Sequence, residues 1–229
     1  MTSFRVVIPT LNEEARVADA VRSARCAPQH AVRVVVVDGG STDGTIDQAR
    51  AAGADVRFSE PGRARQLNIG AADAIEDCLL FLHADCRLPP GWDDQIADAF
   101  AAGNVIAGGF RQRIDARGLR WRFLEWGNGF RGGVLRSLYG DQAMFVRRDV
   151  FQRLDGFPEV PILEDWLLSR SLRAERGRMA LLPGPLAVSA RRWERQGIVR
   201  QTLRNWSILW RARRGADLHE LAREYRNVR

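Results

Sequence analysis

Lysine is absent from this chain of 229 residues, so all 35 basic residues are arginines. They outnumber the 28 acidic residues and leave a net charge of +7. A basic balance suits phosphate-bearing ligands or an anionic membrane surface. Nucleic acid is the competing ligand, but the arginines are scattered and the sequence contains no recognisable nucleic-acid module. We therefore expect phosphate recognition and no nucleic-acid partner.

Cysteine and long apolar runs are also scarce. Cys26, Cys78 and Cys86 are an odd set without metal-ligand spacing, which indicates thiols in a reducing cytosol. No stretch approaches the roughly 18 apolar residues that a membrane span needs. The chain enters a strand by Phe4 without a charged and apolar leader. These features predict a cytoplasmic protein.

Strand and helix patterns alternate through the first half of the chain. Strands are expected at 4–9, 32–37, 54–58 and 78–83, and helices at 13–26, 44–52, 64–76 and 91–102. Such alternation is typical of right-handed βαβ units on a parallel sheet. The predicted fold class is therefore α/β with a mainly parallel central sheet.

The pattern changes near Ile106. Strands are expected at 105–112 and 143–146, with strand-like segments near 178–182 and 185–189. Helices are expected at 119–129, 148–154 and 164–176, and the glycine pair at 132–133 suggests a mobile loop. The end of the chain predicts two arginine-rich helices, at 196–212 and 217–226. We expect one domain over 1–195 with a helical extension over 196–229 packed on it.

Three polar motifs follow three of the apolar strands. They are Pro-Thr-Leu-Asn-Glu at 9–13, Asp-Gly-Gly-Ser-Thr-Asp-Gly-Thr at 38–45 and His-Ala-Asp at 83–85. Because the carboxyl ends of parallel strands meet at one edge of a sheet, these motifs predict a ligand crevice there. Asp38 is either a helix-entry cap or a contact to a base or ribose, and the neighbouring Pro9 and Thr10 favour the ligand contact.

Asp85 follows the apolar run Leu-Leu-Phe-Leu. A carboxylate at this place costs several kcal/mol if it is desolvated without a partner. Manganese and magnesium prefer oxygen ligands and commonly bind one or two carboxylates together with phosphate oxygens. Asp85 is therefore the predicted ligand of a divalent cation, Mn²⁺ or Mg²⁺, bound to a diphosphate. The alternative is a turn aspartate that caps the next helix.

Two further segments offer contacts to a donor and an acceptor. Arg63 and Arg65 open a helix, where backbone N–H groups already favour anions. They either fork around a phosphate or form a solvated basic face. Asp141 and Gln142 precede a strand. They either form a plain turn or contact the hydroxyl group of an acceptor.

The last third of the chain supplies the catalytic candidates. Glu164 and Asp165 begin a helix, where acidic residues ordinarily compensate the dipole. The alternative is a general base, Asp165 assisted by Glu164, that deprotonates an attacking hydroxyl while a metal stabilises the departing diphosphate. Arg191 and Arg192 would reach that diphosphate, and Trp193 would close over the acceptor.

An aromatic stripe lies in the C-terminal extension. Trp206 and Trp210 are spaced i, i+4, with Leu203 and Leu209 nearby. Such a stripe is usually core packing or a dimer face. With arginines around it, a helix on a membrane surface is the alternative. Peripheral contact with the inner face of a membrane and a homodimer both stay open.

With these residues assembled, the chain resembles a family 2 glycosyltransferase of the GT-A fold (the Rossmann-like nucleotide-diphospho-sugar transferase fold) over roughly residues 4–195. In that family, four matching positions bind the nucleotide: Pro9, Thr10, Glu13 and Asp38. The carboxylate matching Asp85 binds the metal. The pair matching Glu164 and Asp165 supplies the base for an inverting displacement at the anomeric carbon.

The sequence departs from the family at two positions. The family often has a second aspartate where Gly39 stands, and it usually has aspartate where His83 stands, so the contact of His83 to ribose or metal is open. A closer likeness is to bacterial transferases labelled arsenosugar-biosynthesis or radical-SAM/selenodomain-associated glycosyltransferases. Four segments carry it: Gly-Arg-Ala-Arg-Gln-Leu-Asn at 62–68, Phe-Leu-His-Ala-Asp at 81–85, Tyr-Gly-Asp-Gln at 139–142 and Ser-Ala-Arg-Arg-Trp at 189–193.

The expected function is the metal-dependent, inverting transfer of a sugar from a nucleotide-diphosphate donor, UDP-linked by family likeness, to a hydroxyl acceptor. The first rival is a nucleotidyltransferase, which would usually have a glycine-rich basic loop after the first strand, where this chain has Pro-Thr-Leu-Asn at 9–12. The second rival is a non-catalytic basic protein that binds a membrane surface or an assembly.

Overall fold

The structure is a computed structural model that describes residues 1–116, 118, 121–122, 125 and 138–226. Most of the helix expected over 119–129, and the glycine pair at 132–133, lie outside the described residues.

The first half of the chain alternates strands and helices as predicted. The strands are β1 (Phe4–Thr10), β2 (Val32–Asp38), β3 (Asp55–Phe58), β4 (Cys78–Phe81) and the two-residue β5 (Cys86–Arg87). The helices between them are α1 (Glu14–Arg25), α2 (Thr45–Ala51) and α3 (Arg63–Ala71), and α4 (Trp92–Ala101) follows β5.

The second half contributes three more strands and five more helices among the described residues. The strands are β6 (Val105–Ile114), β7 (Met144–Arg147) and β8 (Arg178–Val188), and a 3₁₀ turn covers Gly140–Gln142. The helices are α5 (Arg148–Arg153), α6 (Glu164–Ala174), α7 (Arg191–Gln196), α8 (Ile198–Arg213) and α9 (Leu218–Arg226).

All eight strands form one mixed sheet in the order β3-β2-β1-β4-β7-β6-β8-β5. β1 to β4 are mutually parallel, β7 runs antiparallel to both of its neighbours, and β8 runs parallel to β6. Thr10 of β1 stands opposite Asp38 of β2, so these two strands end together. The register therefore brings the first two polar motifs side by side at one edge of the sheet.

Helices cover both faces of the sheet, because the inner strands are apolar on both sides. Successive residues of β1 alternate between the two layers: Val6 and Ile8 pack with α1 and α4, and Val7 packs with α3, α5 and α6. Gly70 of α3 contacts Val7 so closely that an added Cβ would lie 2.3 Å from Cγ1 of that valine. The result is a three-layer α/β architecture.

α3 ends at Ala71, five residues before the end predicted from the sequence. The reason is that arginines from neighbouring strands satisfy the carbonyl groups at its end. Arg57 donates to the Ile69 carbonyl at 2.9 Å, and the fully buried Arg5 donates to the carbonyls of Gly70 and Asp73 at 3.4 Å. These bonds replace the helical bonds that a longer α3 would have made.

Two more expected elements differ in the structure. The segments at 178–182 and 185–189 form the single strand β8, whose pairing with β6 shifts register between Phe110 and Gln112. The helix expected at 196–212 is preceded by the separate helix α7, because Gly197 adopts a φ of 79° between α7 and α8. Glycine tolerates that left-handed conformation without steric cost.

The two C-terminal helices pack on the domain and on each other. Ile198 packs against a small cluster that contains Ile114 of β6, and Leu221 of α9 is fully buried. Arg204 of α8 donates to the Glu224 carbonyl at 2.8 Å. No helix in the described part of the chain has the length and apolar composition needed to cross a bilayer.

Candidate functional site

Asp38 holds the loop that follows β2 in a fixed shape. One carboxylate oxygen accepts the backbone N–H groups of Gly40 and Ser41 at 2.9 and 2.8 Å. The other accepts the hydroxyl of Thr10 at 3.2 Å and the hydroxyl of Ser41. Asp38 and Thr10 are both buried. The predicted nucleotide-binding residues of β1 and β2 are thus joined directly, with the partly buried Pro9 next to them.

Gln66 supports this junction from α3. Its side-chain amide donates to the carbonyls of Thr10 and Val37, both at 2.8 Å, and the side chain is buried. A Cβ added at Gly39 would lie 3.1 Å from the Gln66 amide nitrogen. A side chain in place of Gly39 would therefore contact the Gln66 amide tightly, which fits the presence of glycine at this position.

The loops after β1 and β2 are also joined by hydrogen bonds further out. The Asn12 side-chain oxygen accepts the backbone N–H of Thr42 at 2.9 Å. The backbone N–H of Asn12 donates to the Ser41 hydroxyl at 2.9 Å. The Glu13 N–H donates to the Thr45 hydroxyl at 2.8 Å. These bonds tie the first two motifs into one rigid rim.

A cavity of about 450 Å³ is lined by other segments of the chain than this rim. Asp85, Arg191 and Ser189 line it together with charged residues of α1 and α7. Its volume lies within the range of small-molecule sites. We refer to it below as the donor cavity.

Asp85 is half-buried at the donor cavity. Its side chain has one polar contact among the described residues, a thiol of Cys86 at 3.8 Å from Oδ1. No cationic partner of this carboxylate lies among the described residues, and a divalent cation with phosphate oxygens would provide one. The donor set therefore fits the predicted metal.

Arg191, which lines the donor cavity, forms an ion pair with Glu13 although 178 residues separate them. The Arg191 guanidinium lies 3.1 Å from one carboxylate oxygen of Glu13. The second oxygen of Glu13 is buried and has no hydrogen-bond partner among the described residues. Two predicted ligand-binding residues from opposite ends of the domain thus share one ion pair. The side chain of Arg192 lies outside the described part.

A second, narrower cleft contains the predicted catalytic pair. It is lined by Arg63, His83, Gly140, Glu164 and Asp165, with apolar side chains beneath them. His83 and Asp85 belong to the same loop, so this acidic cleft and the donor cavity flank one short segment. The general-base candidate and the donor cavity are therefore both close in the chain to the predicted metal ligand Asp85, because His83 lines the cleft and Asp85 lines the cavity.

Arg63 binds both acidic side chains of this cleft. It contacts Glu164 directly and lies 3.5 Å from Asp165. Burial would lower the pKa of Arg63, but the negative charges of Glu164 and Asp165 outweigh that effect and raise it.

Gly140 completes the cleft through its backbone. Its N–H donates to Asp165 Oδ2 at 2.6 Å. A Cβ at this position would lie 2.7 Å from His83 Nε2, 3.1 Å from Asp165 Oδ2 and 3.2 Å from Arg63 Nη2. Three polar side chains therefore converge on this position, and an added methyl group would displace the His83 ring.

The remaining predicted residues lie elsewhere. Arg65 pairs with Glu60 and lies 3.6 Å from Glu159, so in this structure its charge is balanced outside both cavities. Gln142 is buried and accepts the Tyr139 N–H at 3.1 Å, and Gln112 donates to the Asp141 carbonyl at 2.7 Å. Trp193 packs edge-on against Trp121 with ring centroids 6.4 Å apart.

Another group with metal-ligand chemistry lies at the opposite edge of the sheet. His30 Nδ1 is 3.0 Å from Asp93 and 3.7 Å from Asp94. The His30 ring packs against Phe4, the first residue of β1. This group is therefore far along the strand from the carboxyl-end loops and does not contribute to the crevice.

Sequence reasoning missed two residues that organise the site. The sequence pattern assigns no individual role to Gln66 in the segment 62–68 or to Gly140 in the segment 139–142. A buried glutamine next to two arginines at a helix start is a usable signal, since buried amides require partners. The closeness of Gly140 to His83 arises from long-range packing and has no local signal.

Comparison with known proteins finds similarity to glycosyltransferases. The family model described as "Glycosyl transferase family 2" matches residues 5–154. An uncharacterized glycosyltransferase of Rickettsia typhi is 34% identical over 106 residues, which cover 45% of this chain and 35% of that protein. The matched segment thus spans about a third of the relative's length.

Three solved structures are similar in fold. TarS 1–349 of S. aureus has a TM-score of 0.64 at 18% identity, covering 82% of this chain and 61% of that one. Mannosyltransferase PcManGT of Pyrobaculum calidifontis, in complex with GDP-Man and Mn²⁺, has a TM-score of 0.62 at 20% identity, covering 81% and 56%. Glucosyl-3-phosphoglycerate synthase of Mycobacterium tuberculosis, with Mg²⁺ and UDP, has a TM-score of 0.57 at 22% identity, covering 82% and 70%. These likenesses show the predicted GT-A-like fold.

Proposed function

The chain belongs to glycosyltransferase family 2, and from that premise we propose that it transfers a sugar from a nucleotide-diphosphate donor to a hydroxyl group of an acceptor. The observation that carries the proposal is the placement of Asp85. Its carboxylate faces the donor cavity without a cationic partner among the described residues, and the acidic cleft begins at His83, two residues away.

Asp85 would hold the cation. Mn²⁺ or Mg²⁺ accepts one or two carboxylates plus phosphate oxygens, and when bound it stabilises the charge that builds on the departing diphosphate. Arg191 lies on the same cavity and would contact the diphosphate after exchanging its bond to Glu13. The arginine fork suits a phosphate group as well as it suits a carboxylate.

Asp165 is the better candidate for the general base. Glu164 is the direct partner of Arg63, whereas Asp165 lies 3.5 Å from that guanidinium. Asp165 accepts N–H groups from Gly140 and Trp166 at 2.6 and 2.7 Å. A carboxylate has about four lone-pair sites, so the hydroxyl of the acceptor substrate can still donate a hydrogen bond to Asp165. These bonds hold the carboxylate in one orientation, as proton abstraction requires.

The acceptor oxygen would attack the anomeric carbon from the side of the acidic cleft while the bond to the diphosphate breaks on the side of the donor cavity. Its proton would pass to Asp165. Attack and departure on opposite sides invert the configuration at that carbon. The loop at 83–85 contributes residues to the linings of both cavities, and this supports the proposed course.

Two finer assignments rest on likeness. We propose a UDP-linked donor; TarS has been solved with UDP and with UDP-GlcNAc, and PcManGT with GDP-Man. The resemblance to arsenosugar-biosynthesis or radical-SAM/selenodomain-associated transferases also stays a proposal. Its support is that Arg63, His83 and Gly140, from three of the four segments that carry the resemblance, line one cleft.

The test is a donor panel. The protein is incubated with Mn²⁺ and UDP-, GDP-, dTDP- and ADP-linked sugars, and release of nucleoside diphosphate is measured with and without chelator. We expect metal-dependent release from at least one donor. D165N should slow release about a hundredfold or more and leave donor binding unchanged, whereas D47N, an exposed change on α2, should behave as wild type.

Failure of every donor to bind or to release its nucleotide would contradict the proposal. Release of pyrophosphate from a nucleoside triphosphate would instead identify a nucleotidyltransferase.

A further inference from the structure

α8 presents an apolar face to solvent. Leu203, Trp206 and Trp210, spaced i, i+3 and i+7, are 63%, 57% and 54% exposed. Gln201 and Ile208, on the opposite side of the helix, are buried against the protein. One side of α8 therefore packs on the domain, and the other carries two large aromatic rings that the described residues do not cover.

Arginines surround this face, and acidic residues are missing from it. Between Glu194 and Asp217 the sequence has six arginines and no aspartate or glutamate. Arg200, near the start of α8, and Arg213 and Arg214, at its end, are exposed. The Arg214 guanidinium lies over the Trp210 ring, 3.7 Å from its centroid.

Two other arginines of α8 contact α9. Arg211 forms an ion pair with Glu224 of α9 at 2.6 Å, and Arg204 donates to the carbonyls of Glu224 and Tyr225. These two residues attach α8 to α9. The basic charge around Leu203, Trp206 and Trp210 is therefore separate from the charge that holds the extension together.

We propose that this face of α8 binds the surface of an anionic phospholipid bilayer. An amphipathic helix with aromatic residues on one face and arginines beside them lies in the plane of a membrane interface. Tryptophan rings prefer the headgroup level, where one end is apolar and the other is wet. Long arginine side chains extend to lipid phosphates while their apolar stems cover the surface.

Charge decides between a bilayer and a second copy of the chain. A two-fold dimer through α8 would place Arg200, Arg213 and Arg214 of both copies at one interface with no acidic residue of α8 to balance them. Like charges placed together across an interface disfavour association. An anionic bilayer supplies negative headgroups that balance these arginines and an apolar region that takes up the tryptophan and leucine side chains. The proposal does not depend on the transfer reaction, because it uses none of the residues of the two cavities.

Co-sedimentation with vesicles tests the proposal. The full chain is mixed with vesicles of phosphatidylglycerol and phosphatidylcholine, or of phosphatidylcholine alone. We expect binding to the anionic vesicles that weakens with salt, and at least about tenfold weaker binding to the neutral ones. The double variant W206S/W210S and the triple variant R200S/R213S/R214S should each lose about tenfold or more in affinity.

The matched control is F58S/I75S, which removes two apolar side chains that are 59% and 82% exposed away from α8. It should bind as wild type, and thermal melts of all variants should show an intact fold. Vesicle binding unchanged in W206S/W210S would overturn the proposal, because it would show only the attraction of a basic protein to any polyanion. Equal binding to neutral vesicles would also overturn it, as would a stable dimer that W206S/W210S converts to monomer.

Discussion

Gly140 determines, at the scale of one residue, how closely the acidic cleft can assemble. His83, Arg63 and Asp165 come from three different parts of the chain, and each has an atom within 3.2 Å of the position that a Cβ at Gly140 would take. Because the Gly140 N–H also donates to Asp165, the position fixes both the approach and the orientation of the proposed base. A side chain here would push apart groups whose geometry matters for proton transfer.

G140A tests this role. We expect turnover to fall about tenfold or more, since a displacement near 1 Å at the reacting groups is costly. Affinity for nucleotide diphosphate should stay the same because Gly140 lies outside the donor cavity. The control is G62A, where the added methyl group meets only Arg65 Cβ at an ordinary 3.7 Å. Full turnover of G140A would show that the cleft tolerates expansion and does not position a base.

Arg5 is a residue-scale feature of stability. It lies in β1 and is fully buried, and it forms ion pairs with Asp73 and Glu76. Asp73 also pairs with Arg57 at 2.8 Å. Hydrogen bonds from Arg57 and Arg5, together with their positive charges, outweigh the opposing effect of burial and hold the pKa of Asp73 far below its usual value.

This shift predicts a pH dependence. A carboxyl pKa that is lower in the folded state adds stability above the unfolded pKa, near 4, and the gain is lost as pH falls through the folded pKa. Asp73 is 58% exposed, so solvent screening limits the effect. D73N should cost about 1 kcal/mol at pH 6 and progressively less between pH 4 and pH 2, as measured by urea unfolding.

The control is D98N, because the exposed Asp98 forms no ion pair among the described residues. A D73N deficit that stays constant down to pH 2 would exclude the charge of Asp73 as its cause.

α3 is the element that connects the acidic cleft to the carboxyl ends of β1 and β2. Arg63 at its start balances the acidic pair, and Gln66 one turn later bonds to the carboxyl ends of β1 and β2. Asn68 exchanges hydrogen bonds with the backbone of Phe157 at 2.8 and 2.9 Å. A single helix thus ties the carboxyl ends of β1 and β2 to the half of the molecule that carries α6.

Q66L tests the role of α3. The change leaves the carbonyls of Thr10 and Val37 without the amide donor, so we expect a loss of about 1–3 kcal/mol in unfolding free energy. Nucleotide binding should weaken as the rim loosens. Q48L, on the exposed side of α2, should change stability by less than about 0.5 kcal/mol. Equal behaviour of Q66L and Q48L in urea unfolding and calorimetry would refute this role.

Elements with local signals could be predicted from the sequence. The strands of the first half and their parallel arrangement follow from apolar runs that alternate with helical periodicity. β8 could not be predicted as one strand, because Pro183 and Pro185 interrupt the pattern and proline removes a ladder donor. The short α3 could not be predicted either, since Arg5 and Arg57 terminate it through tertiary contacts.

The whole molecule decides which predicted residues meet. The motifs at the ends of β1, β2 and β4 share one edge because parallel strands must end together, so sequence reasoning predicted them as a group. The pairs Arg63 with Glu164 and Arg191 with Glu13 join residues 101 and 178 positions apart. No local pattern predicts such contacts, because they depend on the order of strands across the mixed sheet.

The central claim for the whole molecule is that Asp85 binds a divalent cation that in turn binds a nucleoside diphosphate. Asp115 lines the same cavity but is 63% exposed and pairs with Arg87 at 2.8 Å. It is therefore the matched control for a general effect of removing negative charge.

Calorimetric titration of UDP into wild type, D85A and D115A, each with and without Mn²⁺, is the most direct test. We predict Mn²⁺-dependent binding in wild type and D115A, and a loss of at least about a hundredfold in D85A with an unchanged melting temperature in the absence of ligand. Wild-type Mn²⁺ dependence in D85A would contradict the account.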